Sequence, residues 1–319
     1  MKTDPAIRQA RGTDLLAELA RRLSYRLGLA SRPSYQTPIP AETATASAEP
    51  EVMQAASESV LPKSEPTRSE PLPSPSEPSS AIYTPVYDYD GLRTDPAVIH
   101  NHDFMRDERY VQAMRAGAEA LGHDHKMYWR LHVALWAASR ASRLPGDFVE
   151  CGVWRGFLST AIMTYLDWDD LAQRFYLFDT FEGLIPELLS EKERQNIDKI
   201  QHLNSYFKDT FPFVSQHFRK FPRVKLVKGQ VPDTLNDVEI EKVSFISIDM
   251  NCVGPEIAAA NFFWPKMVPG AFMLLDDYGF VSYEEQKSGF DAFAAERGTS
   301  VLALPSGQGL IMKDAVLAG

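Results

Sequence analysis

The stretch Asp147-Phe148-Val149-Glu150-Cys151-Gly152-Val153-Trp154-Arg155-Gly156 restricts the fold of this chain more than any other. An apolar run ends in a carboxylate, two glycines follow, and Phe157-Leu158-Ser159-Thr160-Ala161-Ile162 then suits a helix. A strand that turns through glycine into a helix brings backbone N–H groups up to a ligand that side chains would keep away.

Downstream, apolar strand-like runs recur at 175–178, 224–227, 243–248, 271–275, 301–304 and 309–312, mostly with a helix-length segment between them. Such alternation predicts a largely parallel sheet covered by helices on both faces. Only Pro305-Ser306-Gly307-Gln308 separates the last two runs, so they are expected to pair as an antiparallel hairpin. Seven strands closing in a hairpin suggest a Rossmann-like, doubly wound α/β sheet of the class I methyltransferase kind. A helical stretch over 104–142 precedes it and is expected to form a lid. The longest interruption, 184–222, has helical spacing at Leu188, Leu189, Ile197, Ile200, Leu203 and Phe207 and is expected to cap the site.

The N-terminal third is built differently. Residues 35–86 are rich in Pro, Ser, Glu, Thr and Ala and poor in large apolar side chains. They cannot bury enough surface to offset ordering entropy, which predicts a disordered linker. Before it, within 1–34, Leu16, Leu19, Ala20, Leu23 and Leu27 recur at helical spacing with arginines mostly opposite. That amphipathic helix would dock on a partner or on a second copy of the chain; a peripheral membrane contact is the alternative. Residues 87–319 are expected to form the folded domain, with its core at 147–314.

The net charge of −10 opposes a general affinity for nucleic acid. No apolar run reaches the ~18 residues of a membrane span, and arginines interrupt any signal-peptide core, so a cytoplasmic location is expected. Cys151 and Cys252, the two cysteines, are expected to be buried thiols. The histidines lack zinc spacing, and there is no G-x-S-x-G elbow for acyl transfer.

In open α/β sheets, ligands bind beyond the carboxyl ends of the strands. Four of the first five expected strands end in acids: Glu150, Asp179, Asp249, and Asp276 with Asp277. A dinucleotide pyrophosphate would want a full G-x-G-x-x-G and no adjacent anion. Glu150 beside Gly152 instead suits S-adenosylmethionine, with its sulfonium and ammonium. The residues expected to hold it are Glu150, Cys151, Gly152, Val153, Gly156, Ser159, Asp179, Thr180, Gly229, Gln230 and Asp249. Asp179 would accept from a ribose diol and Gln230 would face adenine. Asp249, Asp276 and Asp277 repel one another unless a hard cation such as Mg2+ joins them, with Asn251 as a further oxygen donor.

The segments Glu150–Gly156, Phe178-Asp179-Thr180-Phe181-Glu182-Gly183-Leu184 and Leu275-Asp276-Asp277-Tyr278-Gly279 together resemble the macrocin O-methyltransferase family over 104–313. The resemblance implies methyl transfer from S-adenosylmethionine to a hydroxyl, a saccharide acceptor, and Mg2+ on Asp249, Asp276 and Asp277. The chain departs from the family after its strand-four acid. Asp249-Met250-Asn251-Cys252-Val253 stands where a second Asp and Leu-Tyr are common.

Asp249, Asp276 and Tyr278 are the catalytic candidates, and Glu284 and Glu285 are alternative bases. Trp129, Arg130 and His132 precede the first strand and could reach the pocket as a lid, with core packing of Trp129 the equal alternative. Two other readings stay open: a haloacid dehalogenase-type phosphohydrolase using Asp179, and a non-catalytic binding module on the same fold.

Overall fold

The computed structural model describes residues 101–314. The expected N-terminal helix and the 35–86 linker lie outside the described residues. The order of elements is α1 (Glu108–Leu121), α2 (Tyr128–Ala141), β1 (Asp147–Cys151), α3 (Phe157–Tyr165), β2 (Phe175–Asp179), α4 (Glu191–Arg194), α5 (Ile197–Phe207) and α6 (Phe211–Phe218). Then follow β3 (Val224–Lys228), β4 (Val243–Ile248), α7 (Val253–Phe263), β5 (Met267–Leu275), α8 (Glu284–Glu296), β6 (Leu302–Ala303) and β7 (Gly309–Met312).

The strands form one sheet in the order β3-β2-β1-β4-β5-β7-β6. β3 through β5 pair in parallel, whereas β7 runs antiparallel to both β5 and β6. The order reverses between β1 and β4, which opens a crevice at their carboxyl ends.

Strand alternation assigns the core. Val149, Cys151, Ile246 and Ile248 face α7 and α8 through Ala259, Phe263, Phe290 and Phe293. Phe148, Phe175, Phe245 and Phe272 face the opposite layer, built by α1, α2, α3 and α6. Period two puts Glu150 and Ser247, both buried polar residues, on the second face next to α3.

The stretch expected to form a helical lid contains the two helices α1 and α2. Asp107 caps α1 by accepting from the Tyr110 amide, and Gly122 ends it in the left-handed conformation. α2 buries Leu131, Leu135 and Ala138 in the aromatic core. These helices form a layer of the domain, and the loop between them and the first turn of α2 reach the crevice through His125, Met127, Arg130 and Leu131. Among the described residues no helix is long and apolar enough to cross a membrane.

Candidate active site

A cavity opens at the reversal point, lined from β1 by Glu150, Gly152 and Val153, from β2 by Asp179 and Thr180, and beyond β3 by Gly229. Asp249 and Asn251 after β4, and Asp276 after β5, form its other wall. The 184–222 insertion does reach it, contributing Leu184, Ile185, Leu188, Leu203 and Phe207. Asn204 pins the insertion by accepting from the Leu184 amide at 2.6 Å, and the Trp154 indole donates to the Tyr206 carbonyl at 3.0 Å.

The strand ends meet closely. The Asp249 amide donates to the Cys151 carbonyl at 2.8 Å, and the Asp276 amide to the Ile248 carbonyl at 3.0 Å. Three bulky or polar residues around the cavity hold left-handed backbone: Trp154, Phe181 and Asn251. Strain of this kind persists where surrounding contacts over-determine the loop.

One of those contacts is Asp179. Its Oδ2 accepts from the Val153 and Trp154 amides at 2.6 and 2.8 Å, and its Oδ1 from the Phe181 amide at 2.6 Å. The carboxylate expected to meet a ribose diol thus faces the cavity but staples the glycine turn to β2. Burial pushes its carboxyl above the usual aspartate range, and the three amides oppose that shift. Asp179→Asn would turn an amide N–H toward a backbone N–H. It is expected to cost about 2 kcal/mol of stability, read by denaturant unfolding.

Glu150 is 3% exposed, and burial pushes its carboxyl up to about 8, with Asp179 and Asp276 adding to the shift and Ser159 opposing it. Ser159 is buried on α3 beside it, outside the cavity lining. Cys151 and Cys252 are buried thiols with raised pKa, so neither is a nucleophile.

Asp249, Asp276 and Asp277 present carboxylate oxygens that all lie within 4.8 Å of one another. Asn251 Nδ2 donates to Asp249 at 3.1 Å, and the Tyr283 hydroxyl donates to Asn251 Oδ1 at 2.6 Å. Arg130, named in the sequence as a lid residue, reaches this cluster: its Nη2 is 3.0 Å from Asp276 and 3.8 Å from Asp277. Trp129 and His132 instead pack with Phe104 and do not line the cavity.

Several expected site residues are placed elsewhere. Tyr278, expected to be catalytic, donates its hydroxyl to Asp291 on α8 at 2.5 Å and does not line the cavity. Gln230 turns its amide to Asp233 rather than into the cavity. Gly156 begins α3 against the Phe218 ring. Glu285 binds Ser190 at 2.6 Å and Glu284 accepts from the Ser282 amide, so both fasten the insertion or its neighbouring loop.

Two polar residues escaped the sequence reading. Gln308 donates to Asp276 at 3.2 Å from a hairpin turn, where its composition signals only a turn. Glu256 is buried beneath the site with its pKa raised well above normal by burial and by Asp277, and it accepts from the Met250 amide. A lone acid in the apolar run of α7 was its available signal.

The strand order, the antiparallel last strands and the crevice at the reversal point define the class I methyltransferase fold. A solved structure, that of the O-methyltransferase NovP, has this fold, with a TM-score of 0.51 at 21% identity over 58% of this chain and 80% of that one. The chain belongs to the macrocin-O-methyltransferase (TylF) family, whose model it matches over residues 118–300.

A curated relative from Streptomyces olivaceus, 8-demethyl-8-(2,3-dimethoxy-alpha-L-rhamnosyl)-tetracenomycin-C 4'-O-methyltransferase, is 28% identical over 43% of this chain and 55% of its own length. Mycinamicin III 3''-O-methyltransferase of Micromonospora griseorubida is 24% identical over 42% of this chain and 56% of its own length. The chain thus spans about half the length of the curated relatives it matches. The phosphohydrolase reading has no such support, and its required nucleophile is the stapled Asp179.

Proposed function

We propose that this protein is an S-adenosylmethionine-dependent O-methyltransferase acting on a hydroxyl of a sugar-type small molecule, with Mg2+ held by Asp249, Asp276 and Asp277. The observation that carries the reading is one cavity flanked by a glycine turn with a buried acid and by three carboxylates within 4.8 Å of one another. That donor set, hard oxygens on adjacent strand ends, fits a divalent cation. Both curated relatives above are named for methylating a hydroxyl of a sugar or of a glycosylated product. A cytoplasmic location, where the methyl donor is made, goes with this reading.

The donor's sulfonium and ammonium would lie against the ionised Glu150, with Gly152 and Gly229 allowing close backbone approach. The acceptor oxygen then displaces the thioether from the methyl carbon in line, so an O–CH3 bond forms as the S–CH3 bond breaks. A divalent cation, when bound, supplies Lewis-acid polarisation that lowers the hydroxyl pKa. Asn251 cannot receive the proton, since an amide has no basic atom. Asp249 and Asp276 are the remaining acids at that wall of the cavity to take it. The insertion carrying Leu184, Leu188 and Leu203 excludes water from the displaced pair.

Mass spectrometry with methyl-labelled donor over a panel of nucleotide-activated and glycoside-linked deoxysugars tests the reading. One member is expected to gain a labelled methyl ether. Asp249→Asn is expected to lower that transfer at least about a hundredfold while leaving donor binding measurable. Absence of donor binding by calorimetry at millimolar ligand would overturn the reading and favour a non-catalytic module.

A further inference from the structure

The acid cluster already contains a cation. Arg130 lies in the first turn of α2 with its side chain 3% exposed. Its Nη2 sits 3.0 Å from Asp276 Oδ2 and 3.8 Å from Asp277 Oδ1, and it also donates to the Asp276 carbonyl. The guanidinium lies over the Phe280 ring, 5.1 Å from its centroid. α2 is anchored in the core through Leu131, Leu135 and Ala138, which fixes the backbone of Arg130 beside the cluster.

A guanidinium is permanently charged and prefers carboxylate oxygens, as a divalent ion does. The two would therefore share Asp276 and Asp277. Three carboxylates and one guanidinium leave a formal charge of −2 where the acids alone would give −3. Asp249, the third acid, accepts from the side-chain amide of Asn251 at 3.1 Å. An ion joining the three acids meets two of them already engaged by a fixed positive charge.

We propose that Arg130 sets the metal affinity of this cluster. It keeps Asp276 and Asp277 assembled before any ion arrives, and it makes the ion bind weakly and exchange readily. This rests on the reading of the three acids as a divalent-cation site. The arginine is a positioning residue, acting on the ion through the carboxylates they share.

The test titrates Mn2+ into the metal-stripped full chain, read by electron paramagnetic resonance of the free ion. Wild type, Arg130→Met and Arg130→Gln are compared, each checked for fold by circular dichroism. Both variants are expected to bind Mn2+ at least about tenfold more tightly than wild type, because the repulsion between the guanidinium and the entering ion is removed. In chelator their thermal midpoints are expected to fall below that of wild type, and Mn2+ is expected to raise them more than it raises the wild-type midpoint. Unchanged or weaker Mn2+ affinity in a folded variant, with wild type binding measurably, would overturn the role of Arg130 alone. No Mn2+ binding in any of the three proteins would overturn the cation-site reading and this inference together. Should the methionine variant not fold, the glutamine variant, polar and uncharged, carries the same comparison.

Discussion

Gly152→Ala is expected to destabilise the domain by about 3 kcal/mol or more, a fall of about 6–12 °C in thermal midpoint. Gly152 has φ +92, and a Cβ built there would lie 1.8 Å from the Asp249 carbonyl oxygen. Neither atom can yield cheaply. The Asp249 amide bonds the Cys151 carbonyl, and the Gly152 amide bonds the Phe178 carbonyl, so β1, β2 and β4 are tied together at that level. Gly122 supplies the control, because it has φ +93 and nothing within 4 Å of an added Cβ. Gly122→Ala carries only the left-handed strain, about 1–2 kcal/mol. The difference between the two variants measures the close approach of the strand ends. Equal losses from the two in denaturant unfolding would show that the approach is not tight.

That crossing explains why the turn was legible in the sequence at all. Strand ends in a parallel sheet share one edge, so acids after successive apolar runs must collect there whatever the details of packing. Glu150, Asp179, Asp249 and Asp276 all line the cavity for this reason. β1, β4 and β7 are bounded as the apolar runs predict, since turn or loop residues flank each. β5 extends back to Met267, beyond the expected start at 271, because Pro269-Gly270 reads as a turn. In the fold that pair occupies an irregular stretch, where the β4–β5 register shifts between Val243 and Phe245.

What the sequence hid is orientation and distance along the chain. Nothing in Phe178-Asp179-Thr180 announces that a carboxylate lining the cavity also accepts from three backbone amides, as Asp179 does. Arg130 meets Asp276 across 146 residues, and Gln308 meets it across 32. Each sits on an element whose own pattern is satisfied without any role in the site, α2 by core packing and the hairpin by turn chemistry. Tyr278 shows the converse: adjacency to Asp277 suggested a role, but its hydroxyl is taken up by Asp291 on α8.

Glu150 yields the second large effect, a pH dependence set by burial. Its carboxyl is raised from 4.5 to about 8, so between those values the folded chain holds a proton that the unfolded chain has released. Stability therefore falls as pH rises through this window, and the full penalty applies above about 8. The shift corresponds to about 4–5 kcal/mol. Glu150→Gln cannot ionise and escapes the penalty. Urea unfolding is expected to show the variant gaining on wild type from pH 5 to about pH 8 and holding that gap to pH 9. Parallel stability curves for the two proteins would show that Glu150 titrates in its ordinary range. The same proton gives a binding signature under the proposed function. A ligand carrying a sulfonium and an ammonium favours the ionised acid, so S-adenosylmethionine binding at pH 7 is expected to release a proton. Calorimetry in buffers of different ionisation enthalpy reads that release directly. It should vanish in Glu150→Gln, and donor affinity of the wild type should climb with pH until the acid is ionised without help.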